Sequence, residues 1–230
     1  MHDHSMSRQR FAIISGLSGV VGVVLLIVSF AINTGPPPQP SSAALIEFGR
    51  QHFASVLWGA WMQAVGPVLI VLFAFALVHL SGATQRLSGW MTLFGATVLM
   101  TVSLIEIVFY IAALNPEPPP LPSISLRLIY AIQHLYFMVA APSLFLPLGI
   151  VLLRSQVLPR MFAHLALLLG AGFAILGIAF LQTMTLPPAV TAFGGVQALW
   201  WLAAAITLMV RSRRLDHSPA FLDHRSRLRV

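Results

Sequence analysis

EIVFYIAALNPEPPPLPSISLRLIYAIQHLYFMVAAP, residues 106–142, decides how the rest of the chain is read. It joins an acid inside an apolar run, Glu106, to a proline-rich connection from Asn115 to Ser123, and then to a second apolar run that carries Gln133 and His134. Both runs are long enough to cross a hydrocarbon layer as helices, and proline excludes a helix interior from the segment between them. The stretch therefore reads as the end of one membrane span, a loop, and the start of the next.

Composition extends that reading to the whole chain. Of 230 residues, 58% are hydrophobic and 8% charged. A soluble globule carries about a quarter charged residues, so the fold class is an all-α, polytopic membrane bundle. The absence of cysteine excludes disulfides, thiolate metal sites, iron–sulfur clusters and cysteine nucleophiles. All 13 basic residues are arginines, and without lysine there is no Schiff-base chemistry. The net charge of +7 comes from arginines beside apolar runs, which points to a membrane surface and not to nucleic acid.

Working outward, six spans are predicted. Residues 1–10 are a polar N-terminus, in which His2-Asp3-His4 is read as a frayed end. Phe11 to Asn33 is uncharged and too long for a signal-peptide core, so it is a retained first span. Its Ser15/Gly19 and Ser18/Gly22 pairs have the small-xxx-small spacing that allows close helix contact, within the bundle or with a homo- or hetero-oligomeric partner. The second span ends at Leu80 and contains Gly66-Pro67, where a kink is expected. The others are Leu87 to Leu114, about Leu126 to Leu153 with Pro142 and Pro147, Met161 to Met184, and about Ala189 to Val210. Residues 11–210 form one domain and 211–230 an arginine-rich tail.

Six spans return both termini to one side. Eleven arginines fall on that side, against Arg50 and Arg127 on the other. The positive-inside bias thus predicts cytoplasmic termini, with the arginines against anionic lipid headgroups.

The chain also carries a repeat. Pro-Pro-Pro-x-Pro-Ser precedes Gln51-His52-Phe53 and Gln133-His134-Leu135 at a constant offset of 82, and Pro67/Pro142 and Gly95/Gly170 match at 75. A duplicated helical hairpin, spans two plus three and four plus five, accounts for both offsets and places a pseudo-axis along the membrane normal. Glu106 has no counterpart, since Leu181 takes its place.

Glu106 lies about 13 Å of helix from the outer end of its span, and His134 at similar depth. An ionised acid there costs roughly 2.5–3.5 kcal/mol, so it must be neutral, paired or facing water. Ser103, Glu106 and Tyr110 share a face of span three, and Tyr130, Gln133, His134 and Phe137 a face of span four. Gln63 on span two and Gln197 on span six, beside Trp200 and Trp201, complete the candidates. These residues are expected to converge on an outward-opening polar pocket that binds or passes a small molecule, lipid or proton, with Glu106 and His134 at its centre. Polar cross-links that only hold the bundle together are the competing reading, and they would make the chain a structural or accessory subunit.

A membrane-embedded haem or metal redox enzyme using His52 and His134 is the other alternative. His79 and His164 fit interfacial snorkelling, and the 27 residues from His52 to His79 span about 40 Å, too far for paired haem layers. No zincin motif, P-loop, nucleophile elbow or carboxylate pair is present, so no reaction is named and no cofactor is expected. Residues 134–142, Leu158-Pro159-Arg160 and the block from Gly194 to Trp201 resemble the uncharacterised six-span bacterial inner-membrane proteins grouped as domains of unknown function. That resemblance implies the class and a plasma-membrane location, and no mechanism.

Overall fold

A computed structural model describes residues 2–33, 41–113, 121–179 and 188–215. The proline-rich connections, the C-terminal end of span five with Leu181 and Gln182, the side chains of His2, Asp3 and His4, and the tail beyond residue 215 lie outside the described residues. The described chain is helical: α1 (His2–Ile32), α2 (Ser42–Leu80), α3 (Leu87–Ala113), α4 (Leu121–Leu135), a π-helical turn (Tyr136–Ala140), α5 (Ala141–Leu153), α6 (Arg160–Ala179) and α7 (Pro188–Leu215). α4, the π turn and α5 run on as one span, so six helices are long and apolar enough to cross a membrane. Each packs on its neighbours in sequence, and α1 also packs on α7, which closes the ring.

Local chemistry sets the helix ends. Ser41 caps α2 by accepting the Ala44 N–H at 3.2 Å. At the other end of α2, Gly82 takes a left-handed conformation at φ 63°, and the Ala83 N–H returns to Val78 O at 3.1 Å. The wider π turn sits just before Pro142, with the Ala141 N–H reaching back to Tyr136 O. Because Pro142 has no N–H, the α ladder is broken here, and the backbone absorbs the loss by widening. α2 continues through Pro67 as one helix.

Two close approaches set the ring's geometry. A Cβ on Gly22 would lie 2.7 Å from Gly66 O, and one on Gly66 2.9 Å from Gly22 O, so α1 and α2 cross backbone against backbone. Gly19 faces Ala205 and Phe73, so the small-residue face of α1 is occupied inside the bundle. Ser29 fastens the same pair by donating to Gly59 O at 2.9 Å. Between the next pair of neighbouring spans, Gly95 of α3 rests on the backbone of Ser143 and Leu144 in α5.

The half of the bundle nearest Arg8 and Ser212 is filled by aromatic rings. Phe73, Phe145, Trp200 and Trp201 come from α2, α5 and α7 and are all buried. Trp201 lies 6.0 Å from Phe73 and 5.3 Å from Phe145, ring centre to ring centre, and Trp200 lies 5.4 Å from Phe145. Trp200 also donates its Nε1–H to Phe162 O at 3.0 Å, which ties α7 to α6. Such offset and edge-to-face contacts fill space densely and leave little room for a polar path. Trp200 and Trp201 therefore belong to this plug, whereas their sequence neighbour Gln197 belongs to the polar cluster.

Candidate functional site

The polar side chains lie towards the opposite end of the bundle. Glu106 is the acid of α3, and its Oε1 accepts a hydrogen bond from Gln133 Nε2 of α4 at 2.7 Å. Gln63 of α2, 5% exposed, lies within hydrogen-bonding reach of the same carboxylate. One acid thereby joins three helices. The local reason is periodic: Gln63 and Gly66 lie on one face of α2, so the face that crosses Gly22 also brings the amide inward.

A second contact continues the cluster. The Tyr136 hydroxyl donates to Gln197 Oε1 at 2.8 Å and accepts from Gln197 Nε2 at 2.5 Å, which joins the π turn to α7. Tyr136 packs edge-on against Phe173 at 6.0 Å. Tyr110 and Tyr136 both lie within electrostatic range of Glu106, and Tyr110 also within range of Tyr130. Two of the three tyrosines of the chain thus lie near one acid. Tyr130, beside Tyr110, is 41% exposed.

Of the residues expected from sequence, Glu106, Gln133, Gln63 and Tyr110 come together, and Tyr130 reaches only Tyr110. Gln197 joins through Tyr136, a residue that sequence reasoning did not place in the site. Tyr136 is three positions after Gln133, the helical spacing that could have found it. His134 was expected at the centre with Glu106, but the described bond of Glu106 goes to the neighbouring Gln133. His134 instead turns its Nδ1 to Tyr130 O at 2.7 Å, its own helix's carbonyl. Adjacent helical residues point about 100° apart, so facing Gln133 towards α3 turns His134 away from that line.

His52 repeats this pattern, with Nδ1 3.2 Å from Phe48 O and its ring stacked on Phe48 at 4.5 Å. In both histidines the carbonyl accepts, which places the ring proton on Nδ1. Among the described residues, no three His, Asp or Glu side chains are grouped to hold a metal ion.

Among the described residues three buried side-chain atoms lack hydrogen-bond partners: Gln133 Oε1 in this cluster, Trp201 Nε1 in the aromatic half, and Ser88 Oγ in the first turn of α3. The first belongs to the amide whose nitrogen holds Glu106, so that amide is satisfied at one end only. No family model, curated protein or solved structure matches the chain.

Proposed function

We propose that the chain is a multi-pass protein of the bacterial plasma membrane, with cytoplasmic termini and an outward-facing polar site that binds or passes a small molecule, lipid or proton. The observation that carries this reading is the half-satisfied amide of Gln133. Cross-links that serve only to hold helices together spend their donors and acceptors on one another, as Tyr136 and Gln197 do. Gln133 leaves a buried acceptor unspent beside an intramembrane acid, and each such atom costs roughly 1–3 kcal/mol unless something fills it. The aromatic plug beneath favours access from the outer side, and the arginine asymmetry orients the bundle.

The duplicated hairpin belongs to the same proposal. Its support is a hydrogen bond between Ser81 and Ser155 Oγ atoms at 3.2 Å, which joins the turns of the two hairpins, and the matching environments of His52 and His134. In a ring of six, a shift of two spans is a one-third rotation about the membrane normal.

A cysteine-free chain makes the access test direct. Single cysteines at Tyr110, Gln133 and Phe145 are introduced, and vesicles of known orientation are treated with a membrane-impermeant thiol reagent. Labelling of Tyr110→Cys and Gln133→Cys from the outer side, with Phe145→Cys protected, is the expected result. Protection of both outer positions, or labelling of them from the cytoplasmic side only, overturns the outward-facing site.

A further inference from the structure

We propose that this site takes a small protonated amine, whose charge pairs with Glu106 and whose N–H groups bond Gln133 Oε1; the proposal rests on the outward-facing reading above.

Charge balance is the first argument. Among the described residues one ion pair is present, Arg50 with Glu47 at 3.0 Å on the α2 surface, and Glu106 has no cationic partner. To be ionised inside an apolar bundle this carboxylate needs a counter-charge, and the protein supplies amides and phenols in its place. Ionised, the same acid repels anions, which disfavours carboxylates and phosphates as ligands.

Donor and acceptor chemistry narrows the class. Gln133 Oε1 is a buried acceptor with nothing to accept. An ammonium group has three N–H donors and no acceptor, so it answers the carboxylate and the carbonyl together. A bare metal ion fits less well. Calcium takes six to eight oxygens and magnesium a rigid octahedron, whereas the described residues bring one carboxylate here and no group of three candidate ligands. The tyrosines fit an organic cation, because ring faces attract ammonium groups and also cover an apolar body. Tyr110 and Tyr136, two of the three tyrosines of the chain, arrive near Glu106 from α3 and the π turn.

The test uses the full chain in lipid nanodiscs and three probes of one shape: phenethylammonium, 2-phenylethanol and phenylacetate. Calorimetric titration is expected to show phenethylammonium bound at least about tenfold more tightly than the alcohol, and phenylacetate not bound. Glu106→Gln should abolish the preference for the cation, and Tyr110→Leu should weaken cation binding by about threefold to tenfold. If the substitution at Glu106 prevents folding, the comparison of probes on the unaltered chain decides alone. Equal affinity for amine and alcohol, or no binding of any probe, overturns the amine class. If the outer cysteines are labelled in that event, the outward-facing site stands without it; if they are protected, both readings fall.

Discussion

The bond between Glu106 and Gln133 carries a prediction with a change of sign. Gln133→Leu removes a 2.7 Å donor to the carboxylate, but it also removes the buried Oε1 that has no partner. Interhelical hydrogen bonds in membrane proteins average about 0.6 kcal/mol and reach about 1.7. A short bond to a carboxylate belongs at the upper end of that range, because charge-assisted bonds are the strong ones. Relief of the unmet acceptor offsets part of the loss, so the single substitution should destabilise by about 1 kcal/mol or less. With Glu106→Leu already in place, the Gln133 amide has lost its partner as well. Gln133→Leu should then be neutral or stabilising, giving a coupling of about 1–1.7 kcal/mol. The four proteins of this cycle are compared by reversible unfolding in mixed micelles of increasing sodium dodecyl sulfate fraction, followed by tryptophan fluorescence. Effects that add to within about 0.3–0.5 kcal/mol would mean the two side chains do not interact, and the cluster would lose its centre.

Two other consequences are simpler. Gly95→Leu should destabilise by about 1–3 kcal/mol or more in the same assay, because its side chain meets the backbone of Ser143 and Leu144, whereas Gly194→Leu, with open space around it, should change little. Tyr136→Phe and Gln197→Leu should each cost about 0.5–1.5 kcal/mol, and the pair together little more than one of them, since they remove the same contact.

The spans were legible because hydropathy is a sum along the chain, and it does not depend on what a helix meets. The polar candidates were legible for the same reason: Glu106, Gln63 and Gln133 stand out against apolar neighbours wherever they point. Their partnering was not, and His134 shows why. A histidine beside an intramembrane acid is the obvious pair on chemical grounds, yet one position separates it from Gln133, and one position is about 100° of helix. Tyr136 stands three residues after Gln133, a spacing that marks it in sequence, but the π turn that begins there changes the face of every residue after it. Its cue, a proline two residues after Ala140, announces a lost hydrogen bond without saying where the backbone absorbs it. Gly66 drew notice as a kink beside Pro67, while its contact is with Gly22, a residue on another span.

The sequence by itself therefore determined an all-helical chain with six membrane-length helices, their order, and the short list of polar residues they carry. Tertiary structure decided which of those residues meet. It chose Gln133 over His134 for Glu106, brought Tyr136 to Gln197, and placed Trp200 and Trp201 in an aromatic floor beneath the site. The physical reason is that length and apolarity are local properties, whereas a contact depends on how far each helix is rotated and how closely it approaches its neighbour. Here the close approaches at Gly22, Gly66 and Gly95 help set that rotation, and nothing in a run of apolar residues records it.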